Sequence, residues 1–478
     1  MRPRIPAALL LSILALSCSP LSGLAAEDSD ASRKPIPGSS GETQKAPATP
    51  AQPPALSNLS PWGPGMHSVL PRLALGADLR VRHEYHYNAF TLNSDAPDRE
   101  YDYQRYRMRV EAALLPVRSL ELNARLTTER RWYIKPDSLD GSRPDEILFD
   151  AMNVAVRNPG GLPFTLRVGR QDIVFGNGWV VMDATPGDGS RTIFFDAARL
   201  TWDFRAARTT VNAIGIANAS IPDTWLPIVR NLHKPVTEQQ ENGAILYVSN
   251  RAFSKTAIDG YFIYKHDRKV QANGSDADIK TLGSLVQREF SPRWRYRLEV
   301  ALERGAKNGA DLRSFGITHR LTYSFGDARR HRVHLGHEYL SGDDPATNGV
   351  DEGWDPLWGR WPQWSELLVS NLATETRSGN WTNLQRIDFG WACSPTEQLE
   401  LSANYMPLFA PANSLTGRPG FSSDGGFRGH FGQAILRFRF SEHLSAHIWG
   451  EVFSPGSYYS APKGDTACFV RAEAVVRW

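Results

Sequence analysis

From residue 72 onward the chain repeats one pattern: segments of about ten residues that alternate apolar and polar side chains, separated by turn residues. In 105–114, Tyr106, Met108, Val110, Ala112 and Leu114 fall on one face, and Arg105, Arg107, Arg109 and Glu111 on the other. In 120–127, Leu120, Leu122, Ala124 and Leu126 oppose Glu121, Asn123, Arg125 and Thr127. The stretches 296–303 and 434–440 behave alike. A strand has a side-chain period of two, so each segment has an oily face and a charged face. A soluble sandwich built from them would need one very large core under an unusually charged surface. A closed barrel in lipid turns the oily faces outward and the charges into a watery lumen, and closure leaves no unpaired edge. After residue 26 no apolar run approaches the ~20 residues of a spanning helix, which excludes a helical membrane protein. The low mean hydropathy of −0.39 is compatible with alternating strands.

The connections alternate between short and long. Short turns fall near 116–118, 158–162, 205–207, 252–256, 291–293, 326–329, 393–397 and 441–442. Long loops fall near 88–102, 132–147, 176–191, 218–242, 267–279, 304–312, 341–381, 409–429 and 454–466. Eight turns and nine loops separate eighteen strands, and an even count places both termini on the short-turn, periplasmic side. Within 341–381, Glu366 to Arg377 reads either as a helix or as an extra strand, so the count spans sixteen to twenty. The expected architecture is an all-β, transmembrane, antiparallel up-and-down barrel over 72–478, wide enough for an aqueous channel. Its last strand is apolar at Val470, Ala472, Ala474, Val476 and Trp478. Outer-membrane barrels commonly end on such a strand, usually with Phe, so the barrel assembly machinery is an expected partner through the strand ending in Trp478.

Residues 1–26 read as a secretory signal: basic Arg2 and Arg4, an apolar core from Ala7 to Leu16, and cleavage near Ala25 or Ala26. Cys18 in Ala-Leu-Ser-Cys loosely resembles a lipidation box. Residues 27–71 are rich in Pro, Ala and Ser and are expected to be disordered. The implied location is the outer membrane of a Gram-negative cell.

Net charge is +3 with no Lys/Arg block, so nucleic acid is not an expected partner; outer-membrane lipid and an anionic or neutral saccharide are. Arginine far outnumbers lysine. Arg80, Arg82, Arg105, Arg107, Arg109, Arg125, Arg437 and Arg439 fall on polar faces, as do Arg297, Arg320 and Arg386. The same faces carry Glu84, Glu111, Glu121, Glu129, Glu299, Glu338, Asp388 and Glu473. Two readings compete: arginines paired to carboxylates across strands brace the wall, or unpaired arginines at a constriction attract anions. Most are expected to be braces. Trp354, Trp358, Trp361 and Trp364 offer faces that stack on sugar rings, with Arg360 placed for a carboxylate, or else they pack the loop into a plug or cap. The packing reading is the more ordinary of the two.

No catalytic set emerges. His83-Glu84-Tyr85-His86 is one residue short of the zinc His-Glu-x-x-His motif and lies in a strand pattern, and neither a metal nor a cofactor is expected. An enzyme or adhesin barrel is the least favoured reading. Cys393 and Cys468 fall at opposite ends of their strands, too far apart for a disulfide.

The block Gly169-Arg170-Gln171, then Gly176, then Phe195-Asp196-Ala197 with Arg199, resembles the alginate export porin family. Arg80-Val-Arg-His-Glu84, Tyr106-Arg-Met-Arg109, Trp354-Asp-Pro-Leu357 and Trp381-Thr-Asn383 resemble its other segments, and the likeness spans about 72–478. The Pro-rich N-terminal extension is not part of that pattern. The resemblance implies an eighteen-stranded outer-membrane channel that passes a uronate polysaccharide through an arginine-lined constriction. By position in the matching blocks it implies Arg107, Arg109, Arg170 and Arg199 as lining residues. Strict alternation from Leu166 and Val168 points Arg170 at lipid, so a bulge at Gly169 is expected to return it to the lumen. The function expected is passive passage of an anionic saccharide, alginate-like polymer or oligomer; the alternative is a weakly selective porin for small polar solutes.

Overall fold

The computed structural model describes residues 66–478 except 137, 138, 140–145, 183–193, 223–228, 230–232, 234, 361, 362 and 378. The signal sequence, Ala25, Ala26, Cys18 and Trp361 lie outside the described residues.

Eighteen strands form the wall: β1 (Leu73–Tyr87), β2 (Glu100–Val117), β3 (Leu120–Lys135), β4 (Leu148–Arg157), β5 (Phe164–Gln171), β6 (Phe195–Phe204), β7 (Thr209–Asn218), β8 (Gln239–Asn250) and β9 (Thr256–Lys269). They continue with β10 (Ala277–Glu289), β11 (Trp294–Lys307), β12 (Ala310–Ser324), β13 (Arg332–Leu340), β14 (Leu384–Cys393), β15 (Leu399–Phe409), β16 (Phe427–Arg439), β17 (Leu444–Pro455) and β18 (Ala467–Arg477). Each pairs antiparallel with the next in sequence, and β18 returns onto β1 from Asp78↔Arg477 to Tyr87↔Cys468. The sheet therefore closes, and the eight short turns fall where the punctuation places them.

Alternation decides which face is which. In β2, Tyr106, Met108 and Val110 are 40–52% exposed, while Arg105, Arg107 and Arg109 are 4–5% exposed. The oily face looks out, and the charged face is covered from within.

Two expectations need correction, and one open choice resolves in favour of a helix. Residues His67–Leu70, expected to be disordered, form a short strand paired with the start of β1. The expected long loop at 304–312 is a two-residue hairpin: Asn308 and Gly309 both have positive φ, 50° and 88°, and Lys307 pairs with Ala310. Asn-Gly adopts this turn readily because both central residues must be left-handed. Glu366–Arg377 is not an extra strand; it contains the helix α1 (Leu367–Glu375).

The lumen is also less empty than barrel scaling suggests. The β13–β14 loop, 341–383, folds inward with Trp354, Leu357, Trp358, Leu367, Leu368 and Leu372 all buried. It packs on inward residues of the wall such as Ile245, Ile263, Phe431 and Phe453. Two wall glycines make room for it. A Cβ on Gly243 would lie 2.6 Å from the Trp358 ring, and one on Gly316 would lie 2.8 Å from Trp179 and 2.9 Å from Trp354. A helix as short as α1 is marginal alone, so its ends are held by the wall. The Glu451 carboxylate accepts the backbone N–H of Leu367 at 2.7 Å and of Glu366 at 3.1 Å. At the other end Arg428 meets Glu375 at 2.7 Å.

Candidate functional site

All the arginines expected on the lumen face except Arg170 are there, and most of them are paired. Glu84 is shared by three guanidiniums: Arg471 donates through Nε at 2.6 Å, and Arg105 and Arg82 each reach it at 3.4 Å. Glu129 accepts from Arg80 at 2.8 Å and twice from Arg105 at 3.1 Å. Glu473 accepts from Arg82 at 2.6 Å. Arg107 donates to Asp78 at 2.8 Å, and Arg109 stands 3.5 Å from Asp150. Arg125 bridges Asp150 at 2.8 Å and Asp172 at 2.8 and 3.0 Å. Asp150 is the extra residue of a bulge facing Arg125 and Leu126, which aims its carboxylate into this group. Buried charges persist only when partners offset their lost hydration, and Arg80, Arg82, Arg105, Arg107, Arg109 and Arg125 all have partners.

Arg437 shares Glu400 with Arg332, at 3.3 and 2.9 Å. Arg439, on the same face of β16, is exposed and makes no ion pair among the described residues. Arg199 also faces in. Its Nε and Nη2 donate to the Asn212 amide oxygen at 3.0 and 2.8 Å, and no carboxylate reaches it among the described residues.

Arg170 does not line the lumen. The β4–β5 and β5–β6 registers run through Gly169 without a shift, so the expected bulge is absent. Arg170 shares a face with Val168 and stands opposite Met152, both exposed. It is nevertheless buried: Asp196 accepts at 2.9 and 3.1 Å, the carbonyls of Phe149 and Pro222 at 3.0 and 2.9 Å, and the Phe194 ring lies 3.6 Å away. The rest of the motif is architectural. Gln171 donates to the Ala197 carbonyl at 3.0 Å, and Phe195 meets Trp358 edge-on at 6.0 Å. Gly169, with φ 119°, lets the Met152 carbonyl approach to 2.4 Å of where a Cβ would stand. Gly176, with φ 57°, turns the following loop past Leu285.

The tryptophans divide. Trp354 stacks on Trp179 at 4.9 Å, and Trp358 donates to Glu241 at 3.1 Å; both are fully buried and have no face left for a sugar. Arg360 is committed to Glu241. Trp364 borders open space.

That space is a cavity of about 280 Å³ between β11–β14 and two inward loops, lined by Arg297, Glu299, Arg320, Glu338, Trp364 and Arg386 among others. Arg386 donates to Glu338 at 2.7 Å and to Asp388 at 3.2 Å, and lies over the Trp364 ring at 4.4 Å. Arg320 donates to Asp388 at 2.6 Å. Glu299 accepts the Tyr261 hydroxyl at 3.3 Å. Arg297 makes no ion pair among the described residues, and its buried Nε has no hydrogen-bond partner; nor has Trp364 Nε1. Three guanidiniums, a tryptophan ring and unmet N–H donors around one cavity suit a planar anion on a ring-shaped solute.

Alternation puts Arg297, Arg320 and Arg386 on polar faces, but the family resemblance does not mark them as lining residues. A usable signal was present. With Asn308-Gly309 read as a two-residue turn, counting back along both strands sets Arg297 opposite Arg320, as the register confirms.

The Alginate export family model matches residues 71–472. Several solved Pseudomonas aeruginosa structures are similar in fold. OpdO superposes with a TM-score of 0.54 at 12% identity, covering 84% of this chain and 97% of that one. OccK2 (OpdF) in complex with glucuronate has a TM-score of 0.53 at 12% identity, with the same 84% and 97% coverage. OccK5 (OpdH) has 0.52 at 12%, again covering 84% and 97%. No curated protein matches the chain in sequence.

Proposed function

This chain belongs to the alginate export family, and from that membership we propose that this outer-membrane porin passes an anionic saccharide, an alginate-like polymer or oligomer, passively through its lumen. The observation that carries the reading is Arg297, a guanidinium with an unmet donor at the cavity beside Trp364. Arg199 inside the wall and Arg439 near the short-turn end add cations without carboxylates among the described residues. A uronate carboxylate would supply the acceptor Arg297 lacks, and the ring of the same sugar would lie on Trp364. The glucuronate of OccK2 belongs to that protein; the preference proposed here rests on these side chains.

The test is the reversal potential of the purified protein in a planar bilayer under a salt gradient, with and without uronate oligomers. Anion selectivity, block by the oligomers, and loss of both in Arg297→Gln are expected. Weak or cation selectivity overturns the reading in favour of a general porin for small polar solutes, which the extensive pairing of the other wall arginines favours.

A further inference from the structure

The rim that carries the short turns has a regularity that the transport reading does not use. An exposed apolar residue ends a strand or lies in the turn just beyond it, and an exposed cation follows within a few positions. Val117 precedes Arg118; Phe204 precedes Arg205 and Arg208; Phe253 precedes Lys255; Phe325 precedes Arg329 and Arg330. None of these six cations makes an ion pair among the described residues, in contrast to most of the guanidiniums inside the barrel. Acids are the minority on these turns, at Asp327, Glu397 and Glu442. At the opposite end the balance reverses, with Asp95, Asp98, Asp276, Asp343, Asp344 and Asp465 in the long loops.

Exposed aromatics at a strand end mark the headgroup level of a membrane. A cation a few residues beyond lies at the depth of the phosphates, within a Debye length of them. Arg288 shows the geometry on the wall itself: it follows the lipid face of β10 and lies 5.7 Å over the Phe290 ring.

We propose that this rim is a binding surface for the phosphates of anionic phospholipids in the periplasmic leaflet, with Arg118, Arg205, Arg208, Lys255, Arg329 and Arg330 as the contacting groups. A transported polyanion is a poorer fit to these six, because they follow outward-facing side chains, whereas the inward face at this end has its own cations in Arg439 and Arg477. The inference needs only a barrel in a membrane and stands whatever the channel carries.

The test is quenching of tryptophan fluorescence in the full chain by brominated phosphatidylglycerol against brominated phosphatidylcholine, in mixed bilayers. Trp202, Trp294 and Trp478 near this rim report the contact. The expected result is a relative association constant favouring the anionic lipid at least about fivefold at low salt, the contribution of one basic side chain near an anionic surface. It should fall towards one in ~1 M salt, where the Debye length is a few ångströms. The variant carrying Arg205→Gln, Arg208→Gln, Arg329→Gln and Arg330→Gln should lose the preference and keep its conductance. Equal constants for the two lipids in the unmodified protein, or a preference that survives salt, would overturn the proposal. So would abolition of the preference by added uronate oligomers, which would assign the rim to the transported polymer instead.

Discussion

Two stretches of the same wall use arginine in opposite ways. From β18 through β1 to β3, Arg471, Arg82, Arg105 and Arg80 interleave with Glu84, Glu129 and Glu473, so that each buried guanidinium meets a carboxylate. Across β11 to β14, Arg320 and Arg386 share Asp388, and Arg297 makes no ion pair among the described residues and keeps an unmet Nε donor. The alternation pattern is the same in both. Arginine density therefore says little about anion affinity. What matters is the local surplus of charge after pairing, since the field of a paired guanidinium is largely cancelled by its carboxylate.

The strongest test of that contrast is Glu84→Ala. It would remove the carboxylate that three buried guanidiniums share and leave Arg82 with Glu473, Arg105 with Glu129 and Arg471 with Glu366, so the expected loss is about 3 kcal/mol, the low end of what breaking a buried pair costs. Urea unfolding in detergent, followed by heat-modifiable gel migration, should show a loss of that size. A loss under ~1 kcal/mol would mean that water already screens the cluster. Gly316→Ala comes next. The added methyl meets the Trp179 and Trp354 rings, an overpacking that costs about 1–3 kcal/mol. The strain falls on the inward loop rather than on the wall, so single-channel conductance should rise. An unchanged conductance would show that the rings yield without moving the loop.

Arg297→Gln and Arg107→Gln sharpen the comparison directly. The first should reduce anion selectivity while changing stability by less than ~1 kcal/mol. The second removes the partner of Asp78 and should lower stability without altering the reversal potential. If the two variants exchange these phenotypes, the assignment of surplus and brace is reversed. The smallest effect concerns acid. In the inward loop, burial alone would raise the Asp355 carboxyl, but Lys307 at 2.8 Å and Lys265 nearby hold it below the usual carboxylate range. A depressed pKa contributes stability above the unfolded value of ~3.9 and loses it only as pH falls through the lower folded value. Conductance should therefore not change through this contact between about pH 8 and 5. An increase near pH 5 that is absent in Asp355→Asn would show the latch to be weaker than its geometry.

Much of the barrel was legible because its rules are local. Period-two alternation in 105–114 or 120–127 sets which side chains look out, and the turn clusters set strand number and sidedness. The error at 304–312 was one of turn chemistry: Asn308-Gly309 is a minimal hairpin, and reading it would also have brought Arg297 beside Arg320. Gly169 misled in the other direction. Its positive φ accommodates a close carbonyl, not an inserted residue, so Arg170 keeps its outward phase and finds Asp196 there.

By itself the sequence determined the strand count to within two, the closed antiparallel architecture, the inward placement of Arg80, Arg107 and Arg109, and the likeness to a family. Each follows from relations between residues a few positions apart. The tertiary structure decided which arginines are paired and which are not, because Glu84 and Arg471 meet only when β18 closes on β1, and Asp150 reaches Arg125 only through a bulge. It also decided that Trp354 and Trp358 fill the lumen while Trp364 borders a cavity. A loop of this length has no period to read, and its place is set by the apolar seat that distant strands present to it.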